Sequence, residues 1–258
     1  MEESRVSYIS SVLHRQLDWQ FPSTATTLPL SPTLYTVQSR GVPECSLLVS
    51  SAQHNQCLRE GGAECVLQLA STSTAFINVL EVAEPEAWRK LREEQTRELV
   101  QSARGEHGLE EKCLDAALKL ELLATAWHKP IRPSDTLPQV CREIIFVFYN
   151  YARIQGILSR ADWQDSSLSE SEEGESEVLA CIAFRTPQLC LDKPIRRHPL
   201  PNQLALWSRR FSKWYGRHRV LGGADEKRQR RVLAALARTR DQLNTAFHIL
   251  DIHPPHHM

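Results

Sequence analysis

The sequence predicts a mainly α-helical protein: a C-terminal helical bundle over 110–258, preceded by a small α/β region over 41–109 and an irregular extension over 1–40. Three observations carry this expectation. From Pro85 onward, apolar residues recur at three- and four-residue spacing between proline or aspartate starts and glycine stops. Between Pro43 and Val82 the apolar residues come instead in short β-favouring runs separated by polar turns. Residues 1–40 are rich in Ser, Thr and Pro (STATTLPLSPT) and show little periodicity.

Taken in order, CSLLVS, ECVLQLA and AFINVLEV are the strand candidates of the α/β region. Pro85 opens a helix through WRKLREEQTRELVQSA that ends near Gly105 and Gly108, because proline suits the first turn and glycine the exit. EEKCLDAALKLELLATAWH is a second helix, stopped before Pro130. The third, containing FVFYNYARIQGILSRA, is entered from Asp135 or Thr136 as N-cap with Pro138 in its first turn. In it Tyr149, Ala152 and Gly156 share one face, where two small residues would admit a neighbouring helix; Phe148, Tyr151 and Leu158 form a second apolar line. This helix is therefore expected at the buried centre of the bundle.

Residues 162–177 (DWQDSSLSESEEGESE) hold seven acidic residues and no Lys or Arg, so they are expected to be a disordered loop. Asn202 is the expected cap of a fourth helix, QLALWSRRFSKWYGRHRVL, ended by Gly222 and Gly223. Asp225 caps the last, which runs to about Leu250.

The formal net charge of zero conceals a division. Residues 1–192 carry 17 Lys/Arg against 27 Asp/Glu, and residues 193–258 carry 14 against 4. An excess of this size in one part of a chain suits a polyanionic partner. The seven cysteines are irregularly spaced and form no C-x-x-C pair, which points to a reduced, cytoplasmic setting. The acidic first residues have no apolar run behind them, so no secretory signal is expected. No apolar stretch is long enough for a membrane span.

The fourth helix carries Leu204, Trp207, Phe211, Trp214, His218 and Leu221 along one face, which is expected to be core. Arg210, Lys213 and Arg217 line its other side over about 10 Å, with Arg209 and Arg219 alongside. Lys227, Arg231 and Arg238 line the last helix. Between 193 and 240 only Asp225 and Glu226 oppose 14 cations, so i,i+4 ion pairs do not account for them, and a nucleic-acid surface is the expectation. Tyr215, beside Arg217 and Arg219, is the candidate for stacking on an unpaired base. Arg153 has two readings, pairing with a carboxylate inside the bundle or facing RNA, and its apolar flanks favour the first.

No catalytic constellation is visible: G-x-x-x-x-G-K-[ST], G-x-G-x-x-G and G-x-S-x-G are all missing. His253, His256 and His257 lack a companion ligand set, so no metal is expected, nor a cofactor or small-molecule substrate.

Tyr149, Ala152, Arg153, Ile154, Ile157 and Leu158 reproduce a Tyr-x-x-Ala-Arg-Ile-x-x-Ile-Leu pattern. With FSKWYGRHRVLG and the closing LNTAFHILDIHPPHHM, they resemble, in order and spacing, the DALR anticodon-binding domain of arginyl-tRNA synthetases. The synthetases' His-x-Gly-His-type and Lys-Met-Ser-Lys-Ser-type stretches are missing, and 1–109 is too short for a complete nucleotide-binding catalytic domain. The chain thus resembles the DALR anticodon-binding domain-containing protein 3 family, non-catalytic relatives of the synthetase. The resemblance implies binding of arginine tRNAs at the anticodon stem-loop, without enzymatic activity, and presentation of the tRNA to a methyltransferase that makes 3-methylcytidine. It also implies that 41–109 is a remnant of a synthetase-like domain. Two other readings stand beside it: a helical protein-interaction module that has lost tRNA binding, and a truncated synthetase-like chain.

Overall fold

A computed structural model describes residues 5–20, 33–39, 42–49, 75–102, 109–162, 181–187, 197–222 and 225–255. The chain divides into two compact units, Met1–Arg89 with Leu122–Ser134 and Gln188–His198, and Lys90–Glu121 with Asp135–Pro187 and Pro199–Met258. Each is built from discontinuous segments, so residues 90–121 group with the C-terminal unit and 122–134 with the first.

The first unit begins with helix α1 (Arg5–Gln20). Strands β1 (Thr33–Ser39), β2 (Val42–Val49) and β3 (Ala75–Val79) form a sheet in the order β2-β1-β3. β1 pairs antiparallel with β2, with a register shift at Val37/Gln38, and parallel with β3. Helix and strand thus replace the irregular extension expected over 1–40. The helical signal was present: Tyr8, Ile9, Val12, Leu13 and Gln16 are all buried, and their spacing is that of one helix face. Proline and serine further on, outside the described residues, obscured it. β2 and β3 fall on two of the three strand candidates; ECVLQLA lies outside the described residues.

The centre of this unit is Arg5, only 1% exposed. Its Nε donates to the Leu122 carbonyl at 3.1 Å, and Nη2 to that of Thr125 at 2.8 Å. Its Nη1 donates to Leu80 and Lys129 carbonyls at 2.6 and 2.7 Å. The Leu122 and Thr125 carbonyls lie at the C-terminal end of α3 (Leu109–Ala124), where carbonyls lack intrahelical donors and the helix dipole favours a cation. Arg5 therefore caps α3 across more than a hundred residues of sequence.

His198 is fully buried, hydrogen-bonded from Nε2 to Gln16 Oε1 and from its backbone N–H to the Leu123 carbonyl. Burial lowers its pKa from 6.5 to about 3. The unfolded chain then binds more protons between those values, so stability is complete above about pH 6.5 and is lost as pH falls. At pH 5 the loss is roughly 2 kcal/mol. Unfolding free energies from urea denaturation of the native chain and of His198→Gln should change between pH 7.5 and 5 by amounts that differ by about 2 kcal/mol; identical pH dependence rejects the assignment.

The second unit holds α2 from residue 90 (Pro85–Ser102), α3 to residue 121, α4 (Gln139–Arg142), α5 (Ile144–Arg160), α6 (Leu200–Tyr215) and α7 (Glu226–Leu250). Arg92 makes a buried fork to both carboxylate oxygens of Glu121, each at 2.8 Å. Burial disfavours the Arg92 charge, but the hydrogen bond and charge of Glu121 outweigh it and hold its pKa above the ordinary value.

α5, α6 and α7 make the bundle. Phe247 meets Phe148 and Tyr151 edge-on, at 6.0 and 5.2 Å between centroids. The Tyr151 hydroxyl donates to Asn244 at 2.6 Å. Segment 181–187 is clipped to α6 and α7 through the Ile182 carbonyl, which accepts from Trp207 Nε1 and Thr239 Oγ1. The expected core face of α6 is confirmed, with Leu204, Trp207, Phe211 and Trp214 all buried.

The helix ends match expectation unevenly. Asp225 caps α7 as expected, its side chain accepting from Arg228 N–H, and the helix ends at Leu250. There Asp251 takes the left-handed conformation (φ 52°), and the Ile252 N–H reaches back to the Phe247 carbonyl. This is the glycine-type exit made with an aspartate, and Lys119 binds both its carbonyl and its carboxylate. The third helix is entered at Gln139 behind Pro138, not from Asp135 or Thr136, and is broken at Glu143. α6 starts at Leu200, before Asn202, and stops at Tyr215, so Arg217, His218 and Leu221 lie on the turn that follows. Apart from Asp162, the acidic run lies outside the described residues.

Candidate nucleic-acid interface

The site is built where α5 and α6 lie side by side. On facing turns Asn150 meets Ser208 and Ser212, and Arg153, one turn on, meets Tyr215; Glu143, just before α5, reaches Arg209. The two helices therefore run in the same sense.

Asn150 is the joint between them. Fully buried, it donates from Nδ2 to the Ser208 carbonyl, Ser208 Oγ and Ser212 Oγ at 3.0, 2.9 and 2.8 Å, and accepts from Ser212 Oγ at 3.2 Å. A buried amide with both ends satisfied fixes register, because sliding either helix would strand its donors. The sequence reading passed over it, since an asparagine among aromatics reads as surface.

One turn beyond lies Arg153, half-buried. Its guanidinium carbon sits 4.3 Å from the ring centroid of Tyr149 and 4.3 Å from that of Tyr215. Phe211 stacks on Tyr215 at 6.1 Å and Trp207 on Phe211 at 5.3 Å. A run of flat groups thus leads from the buried Trp207 to Tyr149, which is 44% exposed.

Two expectations change here. Arg153 pairs with no carboxylate among the described residues; two tyrosine faces hold it, assisted by a long 3.5 Å contact to Asn150 Oδ1. Tyr149 and Gly156 do not line a close helix contact either. A Cβ built on Gly156 would meet only Arg160 Nη2, at 3.9 Å. The bundle packs on the Phe148, Tyr151, Ile154 and Leu158 side, which is buried. Ala152 and Ile157, the other motif positions, are half-buried and buried. The motif helix therefore has an outward edge, and Phe146 (55% exposed) continues it.

The cations divide by what they touch. Arg210, Lys213 and Arg217 are exposed and form no ion pair among the described residues. Arg209 is exposed but bridges to Glu143 at 3.3 Å, a counter-charge 66 positions away that no local count reveals. Arg219 turns back to donate to the Leu221 carbonyl at 3.1 Å, over Gly222, whose φ of +78° requires glycine. On α7, Lys227 and Arg238 are exposed and Arg231 half-exposed, a separate row.

Other chemistry finds no support among the described residues. Burial pushes the Cys113 thiol up to about 12, and Cys141 still further from its ordinary value, so neither is a nucleophile. No group of three or more metal-ligating side chains occurs among the described residues, and no described helix is long and apolar enough to cross a membrane.

Residues 147–258 match the family model of the DALR anticodon binding domain. This segment is a DALR helical domain. The match begins on α5 and takes in every cation and aromatic of the interface from Tyr149 onward. No curated protein matches the chain. A solved structure of the Thermus thermophilus arginyl-tRNA synthetase is similar at 16% identity and a TM-score of 0.48, over 71% of this chain and 35% of that one. The chain therefore spans about a third of that synthetase's length.

Proposed function

We propose that this chain is a non-enzymatic tRNA-binding adaptor whose DALR domain holds the anticodon stem-loop. The observation that carries the reading is the juxtaposition, within a domain of anticodon-binding type, of the Tyr149–Arg153–Tyr215 stack, whose outer ring Tyr149 is exposed, with exposed cations that form no ion pair among the described residues. Arg210, Lys213 and Arg217 contact phosphates, which position the RNA without reading its sequence. Tyr215 and Tyr149 offer flat apolar faces to unpaired loop bases, the usual means of single-strand recognition. The resemblance to the protein 3 family supports arginine tRNAs as the bound class, and a partner methyltransferase making 3-methylcytidine as the recipient. The missing ATP-handling stretches support the non-catalytic role.

Filter binding of an arginine tRNA to the full chain tests the reading. Three phosphate contacts give an affinity falling with salt at a log–log slope of about −2 to −3. No tRNA binding at about 50 mM salt rejects it and leaves the protein-interaction module. Phe146 and Leu206, exposed at 55% and 48%, favour that second reading.

A further inference from the structure

At the turn between α6 and α7 the described residues line a cavity of about 260 Å³. Trp214, Val220 and Val232, all buried, are its apolar walls. Arg219, Asp225 and Arg228 also line it and are exposed, so they stand at its mouth. Trp214 and Tyr215 are consecutive on α6 and point about 100° apart, which sets the cavity off from the edge where Tyr215 meets Arg153. Nor does it offer an open indole face for stacking. Phe211 lies 5.9 Å from Trp214, one turn before it, and His218 lies 5.2 Å away, one turn after and nearly parallel at 12°. Both flanks of the indole are thus taken, and His218 Nδ1, donating to the Trp214 carbonyl at 2.8 Å, holds the imidazole in place.

The mouth is cationic. The Asp225 carboxylate is engaged in the first turn of α7, accepting from the Arg228 N–H at 2.9 Å. The Arg228 side chain forms no ion pair among the described residues, and Arg219 is engaged only through Nε, on the Leu221 carbonyl. Lys227, Arg228, Arg230 and Arg231 fall within the first six residues of α7, the end at which the helix dipole disfavours cations. Helix stability does not account for them there; an anionic partner does.

We propose that this cavity receives one apolar side chain from an acidic segment of a protein partner, whose flanking carboxylates pair with Arg219 and Arg228. Phosphates of an RNA would meet the cations but leave the walls uncovered, whereas an aliphatic or aromatic anchor removes those walls from water. The inference goes beyond the RNA-binding reading and does not depend on it. The cavity shares no residue with the Tyr149–Arg153–Tyr215 stack or with Arg210, Lys213 and Arg217.

The probes are fluorescein-labelled peptides Asp-Glu-Xaa-Glu-Asp, with Leu, Phe, Trp or Ala as Xaa, titrated with the full chain at about 50 mM salt and read by anisotropy. At least one of the Leu, Phe and Trp peptides should bind at least about tenfold more tightly than the Ala peptide, as burial of an apolar side chain requires. Arg228→Glu should weaken that peptide at least about fivefold while leaving tRNA affinity within about threefold. Val232→Phe, which fills the cavity from one wall, should abolish the advantage over the Ala peptide. Circular dichroism shows whether that variant folds, and Arg228→Glu, at an exposed position, tests the site without it. No binding of any peptide overturns the inference, as does equal binding of all four. Equal loss of peptide and tRNA in Arg228→Glu also overturns it, assigning these cations to RNA. All three outcomes leave the RNA-binding reading standing. Anchor-dependent peptide binding by a native chain that binds no tRNA upholds the inference and rejects that reading instead.

Discussion

Joint replacement Arg210→Glu and Arg217→Glu should weaken tRNA binding by at least about 100-fold at physiological salt, with the fold unchanged. The estimate takes about 1.4 kcal/mol per reversed contact, tenfold each, and the log–log salt slope should fall by close to two contacts. Both side chains are exposed and form no ion pair among the described residues, so stability should move by no more than about 0.5 kcal/mol. Filter binding across a salt series, with circular dichroism for the fold, checks both parts. The choice of residues matters. Arg209→Glu would look similar in sequence, yet it would set two carboxylates together at Glu143 and confuse loss of RNA contact with repulsion between helices. Affinity retained within about threefold in the double variant would remove α6 from the interface.

Arg5→Ala should destabilise the first unit by about 3 to 5 kcal/mol, the cost of leaving several partly buried carbonyls without donors. Five carbonyls converge on this one side chain, that of Ala126 at a long 3.5 Å, and water can replace only some of the bonds. Arg5→Lys should recover little, because an ammonium group on a flexible stem cannot reproduce a planar fork aimed at acceptors on several sides. Urea denaturation followed by circular dichroism measures the change. A loss below about 1 kcal/mol would mean that the carbonyls rehydrate and that α1 docks by its apolar face alone.

Arg5 also marks where sequence reasoning ends. In MEESRVSY it is one basic residue at an acidic start, and nothing in its neighbourhood points to residues 80, 122, 125 and 129. The α1 helix, by contrast, is legible: its buried positions keep a helical period, although the residues that follow it are rich in Ser, Thr and Pro. Arg209 failed for a third reason. Counter-charge was counted along the chain, whereas Glu143 arrives from another helix.

What the sequence determined by itself was local. Periodicity, the Asp225 cap and the Tyr-x-x-Ala-Arg-Ile pattern are governed by backbone geometry and nearest neighbours, so they determined the presence of the helices from Pro85 onward, though not all of their ends, the α6 core face and the type of domain. Which side of the motif helix faces outward was decided only by tertiary packing. Tyr149 with Ala152 and Gly156 looked like a packing notch, yet the other bundle helices bury the opposite side, leaving Tyr149 exposed beside Tyr215. Two tyrosines and an arginine separated by up to 66 positions meet because Asn150 sets the register of two helices, and register is a property of the packed pair that neither helix encodes alone.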